Sequence, residues 1–278
     1  MTSLKRQDLA DAFEVVAVWS GDDETARIVE REFPEAKVVG RRDRLPTGAA
    51  RNLGLEHASG DIIAFLAADC QAEPEWLRRR VAAHRAGFDC VGGAVVCAEP
   101  AGMIARASHL LEYSEFMIGR PREVVVGRPV YNLSFRREIF MRYGTYEAVL
   151  ACGEDSLFNW RLVQAGERFL FDPSIRIIHR GPDRLRDFFR HQTWHGKWFA
   201  TLCREYDYPG LRGHGAHPLF RIILVYPVVR IKRLVKRIVR WRPDLVGDLL
   251  RLLPVLLLGV AAVTFGLARE WWTSEGKE

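Results

Sequence analysis

The amino-acid sequence predicts an α/β fold with a mostly parallel sheet and flanking helices, followed by two C-terminal helices of different character. The first observation is residues 62–66, a continuous apolar run of strand length, typical of a strand covered on both faces. The second is that strand-like and helix-like segments alternate over the first hundred residues. The third is a hydrophobic content of 48% with 27% charged residues, which indicates a globular body rather than a disordered chain.

The first half of the chain supplies most of the predicted alternation. Asp22 and Asp23 are suited to the first turn of a helix, and Pro46 and Gly60 to the start and the end of another. The pattern predicts strands at 13–19, 36–40, 62–66 and 90–97, and helices at 22–33, 46–60 and 74–87.

The second half is less regular but continues the same classes of element. Gly144 and Gly166 each follow a helical pattern, as a C-terminal glycine does. The pattern predicts helices at 102–118, 136–143, 156–166 and 185–206, and strands at 129–135, 167–172 and 174–179.

The net charge and the cysteines limit the classes of protein to which the chain can belong. The net charge is +6, which is compatible with nucleic acid or anionic lipid as a partner. Five cysteines, an odd number with no pair two residues apart, indicate neither a disulfide framework nor a zinc knuckle. They fit a reducing compartment. Residues 1–12 are polar and lack the apolar core of a signal peptide.

Residues 219–242 carry eight basic residues and no acid. Aliphatic residues recur there at helical spacing between the basic ones, which predicts an amphipathic helix lying on an anionic membrane surface. Nucleic acid is the rival partner, and it is disfavoured because the charges alternate with aliphatic rather than stacking aromatic side chains.

Residues 252–268 form a run of seventeen without a charge, at the short end of the roughly 17–25 needed to span a bilayer. Arg251 and Arg269 flank the run, and Trp271 and Trp272 suit an interface. Burial in a protein core is the alternative, and we favour insertion because the sequence offers no comparable partner helix. The preceding basic block predicts that residues 1–206 lie on the cytoplasmic side.

Asp69 is the acid that follows the apolar strand at 62–66. In parallel sheets ligands bind beyond the carboxyl ends of the strands, where an acid can hold a metal ion against a phosphate. A plain turn acid after a core strand is the alternative, and the residues taken alone favour it.

Five segments, in order, resemble the family-2 glycosyltransferases, which are inverting enzymes of the GT-A fold that use nucleotide-sugar donors. The segments are FEVVAVWSGDDET, GAARNLGLEHASGDIIAFLAADCQAEPEWL, VGGAVV, YNLSFRREIFMRYGTY and GEDSLFNWRLVQAGERFLFDPSIRIIH. The resemblance covers roughly residues 3–200 and implies a Rossmann-like GT-A domain at 1–206. A linker and basic interfacial helix at 207–242 and an apolar membrane-associating segment at 243–278 follow in this division.

The resemblance implies that the enzyme moves a sugar, with inversion, to a hydroxyl of a lipid-linked or cell-envelope polysaccharide acceptor at the inner membrane. Three departures accompany it. The family's opening strand and most of its first helix are missing before residues 3–7, so an N-terminal truncation is expected. Trp19 replaces an acid for the nucleotide base, and Ala67-Ala68-Asp69 replaces Asp-x-Asp. These departures support the alternative function, a non-catalytic membrane scaffold or binding protein, while the glycosyltransferase remains the leading interpretation.

The resemblance also implies the roles of individual residues. Asp69 and His179 would hold Mg²⁺ or Mn²⁺ against the diphosphate, although a capped, half-buried histidine is an equal alternative for His179. Asp155 would be the general base, with Glu154 beside it in the acceptor pocket. Two acids at a helix start also have a simpler explanation in the helix dipole.

The donor site would be lined by four further residues. Arg51 has a guanidinium that suits a diphosphate, and Asn52 follows it; a surface arginine on a helix is the plainer interpretation. Gly92 and Gly93 resemble a glycine pair near the donor sugar, with a strand bulge as the alternative. The expected partners are a nucleotide sugar, a glycan or lipid-linked acceptor and an anionic membrane, without nucleic acid.

Overall fold

The computed structural model describes residues 1–128, 130–210 and 218–275. The chain forms two compact units. The first unit comprises residues 1–94 and 122–177, and the second comprises residues 95–121 and the chain from residue 178 onward. Strands and helices alternate in the first unit, which confirms the α/β class. The second unit is mainly helical.

Eight strands form two sheets in the described residues. The strands are β1 (Val16–Ser20), β2 (Lys37–Arg41), β3 (Ile62–Ala64), β4 (Cys70–Ala72), β5 (Cys90–Cys97), β6 (Glu123–Val125), β7 (Ser134–Arg136) and β8 (Phe169–His179). β1 and β2 pair as a two-stranded sheet, and the other six follow the order β3-β7-β5-β8-β4, with β6 on β8.

The sheet is mixed rather than mostly parallel. β1 and β2 run parallel, with Val16 opposite Lys37. β7 lies between β3 and β5 and is antiparallel to both, and β6 is antiparallel to β8. An apolar run reports that a strand is buried but not its direction, so the sequence could not distinguish these arrangements.

Eleven helices are described. The first unit contains α1 (Thr2–Lys5), α2 (Thr25–Glu32), α3 (Thr47–His57), α4 (Trp76–Arg85), α6 (Arg137–Tyr143) and α7 (Glu154–Gln164). The second contains α5 (Met103–Tyr113), α8 (Leu185–Glu205), α9 (Pro218–Phe220), α10 (Tyr226–Trp241) and α11 (Val246–Glu275). Every helix predicted from the sequence is present, with ends that differ by a few residues.

Two strand predictions differ from the structure. The strands predicted at 167–172 and 174–179 are one continuous strand, β8, which runs through Pro173. Beside that proline, the carboxylate of Asp172 accepts a hydrogen bond from the Ser174 amide. Of the strand predicted at 129–135, only β7 is regular, and Pro129 lies outside the described residues. β4, only three residues long, was not predicted.

The core of the first unit contains a cluster of aromatic rings. Phe140 stacks on Phe158 with ring centroids 5.3 Å apart, and Phe135 meets both rings edge-on. Phe65, just past β3, and Tyr146 contact each other at 5.3 Å beside this cluster. Burial of such rings stabilises the unit and fixes the positions of α6, α7 and the residues around them.

The second unit is organised around α11. Residues 243–273 form the one helical segment, among the described residues, that is long and apolar enough to cross a membrane, with a mean hydropathy of 2.1 over an 18-residue stretch. Its buried side chains are Leu249, Leu252, Leu256, Val260, Ala262, Val263 and Leu267. Its exposed large side chains are Val246, Leu250, Leu253, Leu257, Phe265 and Trp272. The helix therefore packs along one face and presents an apolar surface on the other.

The expectation that α11 lacks a partner helix is wrong, because α8 packs along it. A Cβ atom on Gly196 of α8 would lie 2.1 Å from the carbonyl oxygen of Val263, and one on Gly266 would lie 2.0 Å from that of Thr193. Glycine at both positions allows the two backbones to approach closely.

The apolar stripe of α10 also faces inward. Leu234 and Ile238 are buried in a cluster with side chains of α5 and α11, so they are not presented to a membrane as the amphipathic pattern predicted. Arg237 is likewise engaged, because it pairs with Glu115. The exposed surface of α10 consists of basic residues and small aliphatic ones: Val228, Val229, Lys232, Arg233, Val235, Lys236, Val239 and Arg240.

Candidate active site

The candidate site in the first unit is built on α3 and on the residues that lead into α7. The Asn52 side chain donates to the Tyr146 carbonyl at 2.8 Å and accepts from the Tyr146 amide at 3.0 Å. The Gly48 amide donates to the Leu150 carbonyl, and a Cβ atom on Gly48 would lie 2.0 Å from the Glu147 carbonyl oxygen. These contacts hold α3 close against residues 146–150.

Arg51 lies between two acids at the start of α7. Its Nε is 2.9 Å from Oε1 of Glu154, and its Nη2 is 3.6 Å from Oδ2 of Asp155. The side chains of Arg51, Glu154 and Asp155 are 20%, 4% and 14% exposed, so the cluster is largely shielded from water. Shielding strengthens each of these charge interactions.

Two aromatic rings flank the guanidinium of Arg51. Its central carbon lies 5.2 Å from the ring centroids of both Phe65 and Tyr146, which is within the range of cation–π attraction. Burial raises the pKa of the Tyr146 hydroxyl, so this side chain remains neutral at physiological pH. Arg51 is therefore held by two acids and two rings, and its direction is fixed.

Glu154 has a perturbed proton affinity. Burial, together with the negative charge of Asp155, raises its pKa to about 7, although Arg51 acts in the opposite direction. Two carboxylates share one guanidinium, so the cluster carries an excess of negative charge. An acid with a pKa near neutrality can exchange a proton at physiological pH.

Asp155 is the more exposed of the two acids. Its Oδ1 accepts a hydrogen bond from the Ser156 amide at 2.6 Å, within the first turn of α7. Gly153 precedes the helix in the left-handed conformation, with φ of +81°, which turns the chain sharply before both acids.

Asp69 lies in the turn between β3 and β4, and its side chain is exposed. The Cys70 thiol donates to Oδ1 of Asp69 at 3.5 Å, and burial raises the pKa of that thiol. The carboxylate is accessible from solvent in this turn, and its role as a cation ligand stays a prediction.

Gly92 and Gly93 are buried in β5, and close packing explains both. A Cβ atom on Gly92 would lie 2.3 Å from Cγ2 of Val130. One on Gly93 would lie 2.1 Å from the carbonyl oxygen of Ile175. No side chain fits at either position, and a role of the pair at the donor sugar stays a prediction.

His179 ends β8 and belongs to the second unit, whereas Asp69 belongs to the first. Its ring lies 4.9 Å from that of Tyr113, and it is almost fully buried. The predicted shared cation site of Asp69 and His179 therefore remains a prediction.

The structure brings together Arg51, Glu154 and Asp155 among the residues predicted from the sequence. It gives Asn52 a place beside them, with its amide bound to backbone. Sequence reasoning missed Tyr146 and Phe65, whose rings hold Arg51. The signal available for both was their place within the quoted family-like segments.

The fold and the site thus define an α/β protein. Its candidate site holds a largely buried arginine against two acids at the start of a helix. A family model described as Glycosyl transferase family 2 matches residues 1–144, more than half of the chain. The chain therefore belongs to that family, as the sequence segments indicated.

Two curated relatives come from Haloferax volcanii. Glycosyltransferase AglE is 30% identical over 175 residues, which cover 60% of this chain and 56% of the relative. The match thus spans little more than half of the relative's length. Glucosyl-dolichyl phosphate glucuronosyltransferase is 25% identical over 247 residues, covering 81% of this chain and 78% of the relative.

Solved structures agree on the fold. The mannosyltransferase PcManGT from Pyrobaculum calidifontis, in complex with GDP-Man and Mn²⁺, matches with a TM-score of 0.58 at 17% identity. That comparison covers 98% of this chain and 82% of the other. It confirms the resemblance to the GT-A fold, while the nucleotide sugar and the ion are properties of that protein.

Proposed function

We propose that this chain is an inverting glycosyltransferase that moves a sugar from a nucleotide-sugar donor to an acceptor hydroxyl. The observation that carries the proposal is the buried cluster of Arg51, Glu154 and Asp155, within a chain of Glycosyl transferase family 2. A carboxylate is required to take a proton, and a fixed positive charge is required to orient it and the substrates.

In the proposed reaction, Asp155 accepts the proton of the acceptor hydroxyl. The acceptor oxygen then forms a bond to the anomeric carbon of the sugar while the bond from that carbon to the diphosphate oxygen breaks, and the anomeric configuration inverts. Glu154 keeps Arg51 in place, and Arg51 in turn holds the carboxylate of Asp155 in the correct orientation. The nucleoside diphosphate leaves with the bonding electrons.

Asp69 is proposed to hold Mg²⁺ or Mn²⁺ at the donor diphosphate. Such an ion would neutralise the charge that develops on the leaving diphosphate. The exposed carboxylate of Asp69 in the turn after β3 supports this role. Arg51, Asn52, Gly92 and Gly93 are the other residues proposed to line the donor site.

The proposed acceptor is a lipid-linked or cell-envelope glycan, and an apolar groove in the second unit favours the lipid-linked form. The groove has a volume of about 760 Å³ between α10 and α11. Its walls are almost entirely aliphatic, and Lys232 is the charged residue that lines it. An isoprenoid or acyl chain with an anionic headgroup matches that combination. The name of the dolichyl-phosphate relative supports the same class of acceptor.

Association with the inner membrane is proposed from α11 and α10, with the first unit on the cytoplasmic side. The exposed apolar face of α11 and the exposed basic residues of α10 support it. Binding of the purified chain to vesicles with anionic lipid, compared with neutral vesicles, tests the contribution of the basic residues. Equal binding to both kinds of vesicle would remove an anionic surface as a partner.

The test of the function uses the full chain in detergent with a panel of uridine and guanosine diphosphate sugars and polyprenyl-phosphate-linked acceptors. We expect transfer that depends on Mn²⁺ or Mg²⁺ and an inverted anomeric configuration by NMR. Asp69→Asn should lower the rate at least about a hundredfold, whereas Asp61→Asn, which changes an exposed acid just before β3, should leave it unaltered. Nucleotide binding without transfer by any donor would favour the non-catalytic scaffold instead.

A further inference from the structure

A cluster of metal-ligand side chains lies in the second unit and takes no part in the proposed reaction. Glu112 comes from α5, and His191 and His195 come from α8. The two histidines are four residues apart, so they lie one helical turn apart on the same face of α8. One ligand atom from each residue falls within 4.8 Å of the other two.

The ring nitrogens of the histidines face each other. Nε2 of His191 is 2.9 Å from Nε2 of His195 and 3.4 Å from Oε1 of Glu112. Three ligand atoms bound to one Zn²⁺ at about 2.0–2.1 Å would be separated by similar distances. The three atoms thus surround a common point with little rearrangement.

Glu112 is supported by a second layer of hydrogen bonds. Ser108 donates to its Oε1 at 2.7 Å, and Gln192 donates to the same oxygen at 2.6 Å. Both donors are fully buried. These two hydrogen bonds fix the direction of the Glu112 carboxylate, and a bound ion would use its remaining lone pairs.

We propose that Glu112, His191 and His195 bind a first-row transition metal ion, with Zn²⁺ as the representative. Two imidazole nitrogens and one carboxylate oxygen supply three ligands, and water completes the coordination. Imidazole nitrogens suit first-row transition metals better than Mg²⁺, so this site should prefer Zn²⁺ to Mg²⁺. Its effect is to tie α5 to α8. The inference does not depend on the proposed glycosyl transfer.

The experiment uses the full chain, stripped of metal with a chelator and desalted, without any nucleotide sugar. Zn²⁺ is titrated by calorimetry, and Co²⁺ is added in parallel because its visible absorption reports coordination by nitrogen and oxygen ligands. We expect one high-affinity Zn²⁺ per chain and an intense Co²⁺ spectrum that excess Zn²⁺ abolishes and excess Mg²⁺ does not.

Two ligand variants and one matched control locate the ion. His191→Gln and His195→Gln should each lower Zn²⁺ affinity by about a hundredfold or more, a larger loss than the 10–100-fold typical of outer partners. His57→Gln changes a half-buried histidine on α3 of the first unit and should leave Zn²⁺ affinity unchanged.

Zn²⁺ affinity that is equal in the wild-type chain and in both ligand variants would overturn the proposal. So would a wild-type chain that gives no Co²⁺ spectrum, and this measurement stands even if a variant fails to fold. In either case the cluster would be a hydrogen-bond network that pairs a buried acid with two histidines.

Discussion

The two units each contain a cluster of buried acids and bases, and the clusters are electrostatic opposites. In the first unit, two carboxylates share the single guanidinium of Arg51, and burial with the charge of Asp155 raises the pKa of Glu154 to about 7. In the second, one carboxylate faces two histidines. Burial alone would raise the pKa of Glu112, but hydrogen bonding and positive charge from His191 lower it to about 2.

Because both clusters are buried, the difference between them follows from the ratio of acids to bases. An excess of acid leaves a carboxylate that can exchange a proton near neutral pH, which suits a site of general base catalysis. An excess of imidazole around one ionised carboxylate leaves nitrogen ligands directed at a single point, which suits a metal ion. The following predictions test that contrast.

The largest expected effect is the loss of sugar transfer when Asp155 is replaced. Asp155→Asn should reduce sugar transfer about a thousandfold, because the amide cannot accept the acceptor proton, while binding of the nucleotide sugar is retained. Steady-state rates and nucleotide binding by calorimetry measure the two effects. Asp187→Asn, which changes an acid in the first turn of α8, is the matched control. Wild-type rates for Asp155→Asn would remove this residue as the base.

The next effect is on the stability of the first cluster. Arg51→Met leaves two buried carboxylates without their cation and should lower the free energy of unfolding by about 3–5 kcal/mol at pH 8.5. The loss should be smaller at pH 5.5, because Glu154 then takes up a proton. Urea unfolding at both pH values measures it.

Arg161→Met provides the control for that substitution. Arg161 pairs with Glu147 at 3.3 Å at a more exposed position, so its loss should cost less than about 1 kcal/mol. Equal losses for the two variants would mean that the buried cluster contributes no more than a surface ion pair.

The titration of Glu154 predicts how the free energy of unfolding depends on pH. Its pKa is raised from 4.5 to about 7, so the folded chain holds a proton that the unfolded chain has released. The unfolding free energy should therefore fall by about 3 kcal/mol, on account of this group, as the pH rises from 4.5 to 7. Glu154→Gln should remove that fall.

Thermal unfolding of the wild type and Glu154→Gln across this pH range measures the difference. Glu138→Gln, which changes an exposed glutamate in the first turn of α6, should keep the wild-type dependence. If the stability of Glu154→Gln depended on pH as the wild type does, the fall in stability would not come from Glu154.

The smallest expected effect concerns the second cluster. Ser108→Ala removes one hydrogen bond to Glu112 but no ligand, and should weaken Zn²⁺ binding about tenfold. Calorimetric titration measures this. Ser114→Ala removes a buried hydroxyl that bonds Arg237 instead, and should leave Zn²⁺ affinity unaltered. If both variants bound Zn²⁺ as tightly as the wild type, the hydrogen bond from Ser108 would not contribute to Zn²⁺ binding.

Much of the fold could be predicted because apolar periodicity and glycine and proline positions are local signals. They located nearly every helix and most strands, but not the antiparallel β7 between β3 and β5, since strand direction depends on distant pairing. The partner of α11 was missed because α8 is rich in polar residues. Its fit depends on Gly196 and Gly266, which carry no hydrophobic signal.

The candidate site divides in the same way. Glu154 and Asp155 stand together in the sequence at a helix start, and the family-like segments singled them out. The rings of Phe65 and Tyr146 around Arg51 join distant parts of the chain, and no spacing rule connects them. In the second unit the interval from His191 to His195 is a readable helical signal, but Glu112 is too distant in sequence to be joined to it.

The glycines between α8 and α11 also fix the register of the two helices. The backbone of each helix packs against a glycine of the other helix. A slide of less than one turn along the helix axis would therefore bring side chains into the backbone. The next arrangement would be about one helical turn away, or roughly 5.4 Å. The two helices therefore move as one body, and His191 and His195 on α8 keep a fixed place along α11.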